Sequence, residues 1–172
     1  LIQHSIDKVK NYKKINKILI VINNKHKKFI NKINTKNIKI IIGGKTRAES
    51  SFKALNSIKN LNVSNVLIHD AARPHFSLNL LDKLFVNLKY YKCVVPTIKT
   101  NDSIKFKNKN QIINLKRDNI YLTQTPQAFH FKELYKLQKD QSSIITDDAN
   151  LFISANKKIK FINGEINNSK IT

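Results

Sequence analysis

The feature that most constrains the fold is an alternation of short apolar runs with segments of helical spacing. "KILIVINN" (17–24) and "NIKIIIGG" (37–44) are β-branched runs that stop at turn residues, and "NVLIHD" (65–70) and "KCVVPTI" (92–98) continue the series. The first two have the length and continuity of strands buried on both faces. Between the runs, "KHKKFINKI" suits a short helix. "TRAESSFKALNSIKN" (46–60) has apolar residues at 48, 52, 55 and 58, and "SLNLLDKLFVNLKYY" (77–91) is amphipathic with Ser77 as N-cap. Strand, helix, strand, helix, strand predicts an α/β fold with a mostly parallel sheet.

The pattern changes in the second half. "DSIKFKNKNQIINLKRD" (102–118) alternates around the polar turn "KNKN" and predicts a β-hairpin. It is too polar for a core element, so a projecting arm is expected over about residues 99–118. "YLTQTPQAF" (121–129) reads as a strand stopped by proline. "HFKELYKLQKDQ" (130–141) and "DDANLFISANK" (147–157) read as helices, and "KIKFING" (158–164) as a last strand. There are no internal repeats and no disordered linker, so residues 1–172 are expected to form one domain.

Composition narrows the function. A net charge of +21 invites a nucleic-acid reading. Yet only Arg47, Arg73 and Arg117 among the 32 basic residues are arginines, and the lysines are scattered with asparagine and isoleucine along the chain. That is the mark of AT-rich coding rather than of a localised patch, so no specific nucleic-acid partner is expected, only salt-sensitive sticking to polyanions. The bias makes each arginine a candidate for a place where a planar, two-pronged donor is needed. Glycine and proline are equally scarce, three of each (Gly43, Gly44, Gly164; Pro74, Pro96, Pro126), so each marks a backbone shape hard to obtain otherwise. The longest uninterrupted apolar run, Ile18 to Ile22, cannot span a bilayer, and no secretory signal pattern is present. Cys93 has no intrachain partner, which fits a cytoplasmic setting. The sequence has no methionine and opens on Leu1 as if within an element, which reads as a fragment or processed product.

Ligands in parallel α/β sheets bind at the carboxyl ends of strands, and three unusual groups fall there. In "GGKTRAES" (43–50), two glycines let a ligand approach the backbone, a helix start offers amide donors, and Arg47 and Ser50 share its first turn. A strand-to-helix turn with capping is the alternative. In "HDAARP" (69–74), Asp70 emerges where the strand ends, Ala71 and Ala72 leave space, and Arg73 adds a charge. Asp70 suits a ribose hydroxyl or a metal; an Asp–Arg structural pair is the alternative. His69 reads as packed, and the five histidines show no zinc spacing. The third group is dispersed: Ser103, Arg117, Thr125, Thr146 and Lys170.

"GGKTRAES", "VLIHDAARP", "DSIK", "LKRDNIYLTQTPQAF", "IITDDANLF" and "NSKIT" occur in the order found in the 2-C-methyl-D-erythritol 4-phosphate cytidylyltransferases, which the chain resembles over essentially all 172 residues. The resemblance implies a Rossmann-like nucleotidyltransferase fold and a homodimer joined through β-arms. It implies transfer of a cytidylyl group from CTP to methylerythritol phosphate with release of pyrophosphate, in the non-mevalonate route to isoprenoids, with Mg²⁺ on the triphosphate. Carried over, Gly43, Gly44, Arg47 and Ser50 would surround the cytidine, with Asp70 and Ala71 near the ribose and Asp70 as the metal contact. Arg73, Ser103, Arg117, Thr125 and Thr146 would form the methylerythritol phosphate site. Lys170 would touch phosphate at the reacting centre, and Arg117 would reach across the dimer; these two are the implied catalytic cations. The chemistry needs no protein nucleophile, because the substrate phosphate attacks; the protein aligns two polyanions and offsets developing charge.

The sequence departs from the family pattern in several places. The family's first strand and glycine-rich loop, with its arginine and lysine, do not precede Leu1, and the closing helix does not follow Thr172. Ser103 stands where threonine is usual, Lys45 where an acid is common and Asn167 where aspartate is common. The expectation is a domain incomplete at both ends that by itself binds CTP weakly and turns over little. The alternatives are a cytidylyltransferase for another sugar-alcohol phosphate such as ribitol 5-phosphate, a non-catalytic dimerisation or binding remnant, and a basic nucleic-acid-binding domain.

Overall fold

The computed structural model describes residues 1–36, 38–140 and 147–171. The apolar runs become strands: β1 (Ile18–Ile22), β2 (Ile38–Ile42), β3 (Asn65–Ile68) and β4 (Cys93–Ile98). The periodic segments become α2 (Arg47–Asn56) and α3 (Leu78–Asn87), preceded by α1 (Ile2–Lys10). The expected short helix after β1 is a 3₁₀ helix, Asn24–Lys32, with no buried residue. The polar hairpin is β5 (Ile104–Asn108) and β6 (Gln111–Leu115), which pair only with each other among the described residues. β7 (Leu122–Thr123), β8 (Gln127–His130), α4 (Phe131–Lys139), α5 (Ala149–Ser154) and β9 (Lys160–Asn163) complete the chain.

The sheets are mixed rather than mostly parallel. β1 and β2 pair in parallel, as do β4 and β9. β8 lies between β3 and β4 and runs antiparallel to both. β3, β4 and β9 therefore share one direction, and the reversed strands come from the segment returning from the hairpin. Pro126 does not stop that segment. β7 pairs with Thr97 and Ile98, β8 pairs with Cys93 and Val94, and residues 124–126 bulge out between them. At this break Pro96 accepts from Gln124 N–H (2.8 Å) but has no N–H to return, and Pro126 within the bulge has none to offer either, so the ladder is interrupted from both strands. The side chains of Gln124 and Thr125, at this break, reach Glu165 and the Asp70 amide.

Alternation along β4 and β8 sets the layers. Cys93, Val95 and Phe129 face α2, α4 and α5 in a cluster with Leu55, Leu134, Leu151 and Phe152. Val94 and Ala128 face α3 in a cluster with Phe76, Leu80, Leu81 and Leu84. Each fully buried Leu or Phe contributes roughly 1.5–3 kcal/mol. Helices on both faces cover the central sheet, and its strand ends meet the loops that carry the unusual residues.

Candidate active site

The "GGKTRAES" turn is fixed by its own side chains. Thr46 caps α2 by accepting from Glu49 N–H (3.1 Å), and Glu49 reaches back to Lys45 N–H (2.8 Å), a variant of the capping box. Ser50 donates to Thr46 O (2.8 Å) and accepts from Gly44 N–H (3.0 Å). A Cβ on Gly43 would lie 2.6 Å from Ser50 Oγ, so the tight turn demands glycine there. Gly43, Gly44 and Ser50 thus shape the turn, and Arg47 alone of the group lines the cavity at the strand ends. Its guanidinium pairs with Asp148 at 2.8 Å, and Asp148 is 1% exposed. Ser51 Oγ (2.9 Å) and Gln138 Nε2 (2.6 Å) hold the other carboxylate oxygen.

The second wall is the turn after β3. Arg73 N–H donates to Asp70 O (2.9 Å), folding Asp70, Ala71, Ala72 and Arg73 into a half-buried turn. Asp70 N–H donates to Thr125 Oγ1 (3.0 Å), which lies 3.2 Å from His69 Nδ1. A hydroxyl that accepts from an amide is free to donate to an unprotonated ring nitrogen. Burial supports that neutral ring, pushing the His69 pKa down from 6.5 to about 4. The edge of His69 packs on Phe76 with centroids 4.6 Å apart. His69 is therefore a packed, hydrogen-bonded support.

The cavity measures about 330 Å³. Its polar wall brings together Arg47, Asp70, Arg73, Thr125 and Lys170, five of the residues singled out in the sequence, with Thr123, Gln127 and Asp147. Lys170 Nζ lies 3.3 Å from Asp70 Oδ2. Arg73 donates through Nη1 to Asn168 O (2.8 Å) and through Nη2 toward Thr123 O (3.5 Å). The charges differ in kind. Arg47 and Lys170 each face a carboxylate, whereas Arg73 is held by neutral carbonyls among the described residues.

Ser103 and Arg117 are not in this cavity. They line a separate depression of about 310 Å³ at the hairpin base, with Asn114, Leu115, Lys116 and Asp118. Arg117 donates to Asn101 O (2.8 Å), and both residues are exposed. Thr146 lies outside the described residues. The sequence reading passed over Asp147 and Asp148, although "TDD" was among the motifs, because nothing local says that a residue starting α5 will reach Arg47. It also passed over Thr123, Gln124, Gln127 and Asn168, whose roles depend on the bulge at Pro96.

Among the described residues, no cluster of three or more His, Cys, Asp or Glu could hold a metal ion, and no helix is long and apolar enough to cross a membrane. One or two cavity carboxylates do fit a hard divalent cation that takes its remaining ligands from phosphate oxygens and water.

A mixed sheet covered by helices, with arginines and a lysine gathered at strand ends beside paired acids, defines a Rossmann-like nucleotidyltransferase. The model of the family described as 2-C-methyl-D-erythritol 4-phosphate cytidylyltransferase matches residues 1–172. A bifunctional enzyme IspD/IspF of Pelagibacter ubique is 60% identical over 172 residues, covering 100% of this chain and 46% of that protein. A 2-C-methyl-D-erythritol 4-phosphate cytidylyltransferase of Thermosipho melanesiensis is 33% identical over 183 residues, covering 100% of this chain and 79% of that protein. The crystal structure of the 4-diphosphocytidyl-2C-methyl-D-erythritol synthase of Anaerococcus prevotii superposes with a TM-score of 0.90 at 31% identity, over 99% of this chain and 79% of that one. The chain belongs to the 2-C-methyl-D-erythritol 4-phosphate cytidylyltransferase family. It spans slightly less than half the length of the Pelagibacter relative.

Proposed function

We propose that the protein transfers a cytidylyl group from CTP to 2-C-methyl-D-erythritol 4-phosphate and releases pyrophosphate. The observation that carries this reading is the convergence of Arg47, Arg73 and Lys170 on one polar cavity beside Asp70. An oxygen of the acceptor phosphate attacks the α-phosphorus of CTP. One P–O bond forms, the bond to the β-phosphate oxygen breaks, and pyrophosphate leaves with its electron pair. The acceptor phosphate arrives deprotonated, so no protein base is required.

The protein's task is alignment and charge compensation. The Gly43–Gly44 turn, Arg47 and Ser50 border the cytidine, and Asp70 and Ala71 the ribose. Arg73, whose charge no described carboxylate cancels, holds a phosphate; Thr125 supports that wall through Asp70 N–H. Lys170 exchanges its contact with Asp70 for a phosphate oxygen as charge develops. Asp70 would hold a divalent cation, Mg²⁺ in this reading, which when bound draws charge from the triphosphate. Ser103, Arg117 and Thr146 complete the acceptor site, with Arg117 supplied by the partner in a homodimer. The exposed apolar side chains of the hairpin, Phe106 and Ile113 paired on one face and Ile112 on the other, support such an arm-to-partner contact. One free, buried cysteine, its thiol pKa pushed up by burial, supports a cytoplasmic setting.

The test is a coupled pyrophosphate-release assay on the protein at its natural length. We expect release that needs CTP and methylerythritol phosphate together. Release with ribitol 5-phosphate in place of methylerythritol phosphate, or none with either acceptor at natural length, overturns the reading.

A further inference from the structure

Gly164 is the one glycine outside the "GGKTRAES" turn. Its φ is not positive, so left-handed backbone is not the reason for it. The reason is close approach: a Cβ at 164 would collide with Gln124 Oε1 and lie 3.1 Å from Thr97 O. Gln124 is 2% exposed. Its amide is used from both ends, since Oε1 accepts from Glu165 N–H (2.9 Å) and Nε2 donates to Glu165 O (2.7 Å). That reciprocal pair is the pattern a neighbouring strand would offer, made here by a side chain where β9 has ended.

We propose that Gln124 is a positioning residue for Lys170: its buried amide pins residue 165, and with it the irregular segment from which Lys170 reaches Asp70. Several contacts stitch that segment, and Ser77 N–H (2.9 Å) and Oγ hold the Glu165 side chain by donating to its carboxylate. Gly164 N–H donates to Thr97 O (2.8 Å) and Ile171 N–H to Ala72 O (2.8 Å), at its two ends. Between them, Gln124 clasps Glu165, and Asn168, 0% exposed, donates to Thr125 O (2.9 Å). Gln124 Nε2 also lies 3.3 Å from Asn168 O, the carbonyl that receives Arg73. Gln124 stands at the bulge opposite Pro96, where its own N–H pairs with Pro96 O (2.8 Å) while its side chain reaches across to Glu165. Glu165 O also accepts from Asn168 N–H (3.0 Å), but among the described residues only Gln124 serves both the N–H and the C=O of residue 165, and an exposed Lys–Asp pair does not by itself fix an irregular segment. This inference rests on the proposed role of Lys170 for its consequence in turnover, but not for its geometry.

The test uses two variants that reach the same contact from opposite sides. Gln124→Met removes the hydrogen bonds at similar volume, and Gly164→Ala forces the amide aside. The first readout is residue-resolved acetylation of the full chain, which needs no turnover. Lys170 should react about two- to fivefold faster in both variants, while Lys8 and Lys53, which donate to backbone carbonyls elsewhere, stay unchanged. Unchanged Lys170 overturns the proposal, and so does a rise shared by Lys8 and Lys53, because loosening is then general. The second readout is a double-mutant cycle in the pyrophosphate assay. Gln124→Met should cost about tenfold in kcat when Lys170 is present and almost nothing beside Lys170→Ala. Equal losses in both backgrounds overturn the proposal. Absence of turnover in the unsubstituted protein overturns the proposed reaction instead and leaves acetylation to decide this one.

Discussion

Phe129 and Phe106, and Arg73 and Arg117, form two matched pairs, with one member of each in the central sheet and cavity and the other in the β5–β6 hairpin. Phe129 is 0% exposed and Phe106 49%. Arg73 spreads two nitrogens over carbonyls of two different segments, whereas Arg117 uses one nitrogen on a carbonyl of its own hairpin base. The difference separates two ways of using the same side chain. In the cavity, geometry is settled inside the chain before any ligand arrives. In the hairpin, the groups are held at the surface, and what they do depends on what comes to meet them.

The sharpest way to break this comparison is to truncate the two phenylalanines. Phe129→Ala should cost about 3–5 kcal/mol by the cavity it leaves. Phe106→Ala should change the stability of the single chain by less than about 0.5 kcal/mol in urea denaturation. Similar losses would mean that the hairpin belongs to the core.

Next is the pH dependence of the cavity wall. His69 is held neutral in the fold, with its pKa lowered from 6.5 to about 4, so as pH falls the unfolded chain takes up this proton first. The stabilisation is complete above the unfolded value of 6.5 and is lost as pH falls toward 4. The whole effect is about 3 kcal/mol. His69→Gln should flatten the stability-versus-pH curve across that window; an unchanged slope would show that His69 does not titrate with folding.

The arginines come third. Arg73→Lys, which keeps the charge but loses the fork, should lower kcat/KM about 100-fold. Arg117→Lys should act more weakly, by about tenfold, and its deficit should shrink as protein concentration rises if a second chain receives it. A deficit independent of concentration would place Arg117 in a site made by one chain. The smallest effect belongs to the hairpin tip: Ile112→Ser should leave the urea midpoint within error and weaken self-association in sedimentation.

Much of the fold was legible because its information is local. The apolar runs ended where their strands end, and Ser77 capped the helix that its position implied. Sheet direction was not legible. β8 looks like any short apolar strand, and only the return path from the hairpin decides that it runs against β3 and β4. In the site, Arg47, Asp70 and Arg73 stood out as rare or misplaced types at strand ends. Asp148 and Gln124 did not, since an acid starting a helix and an amide in a polar stretch are ordinary until long-range packing buries them. Glu49 teaches the same lesson. Lys45 stands where the family resemblance leads one to expect an acid, and the Glu49 carboxylate folds back onto the Lys45 amide.

The anchoring of each arginine bears on how such a sequence can drift. Mutational pressure that turns codons toward lysine meets no resistance on an open surface, where either cation stays hydrated. It does meet resistance at Arg73, where one compact ammonium cannot serve two acceptors set apart on different segments. A fold that sets two carbonyls of different segments around one guanidinium would thus act as a sieve on such a bias, favouring a flat, forked group at that position.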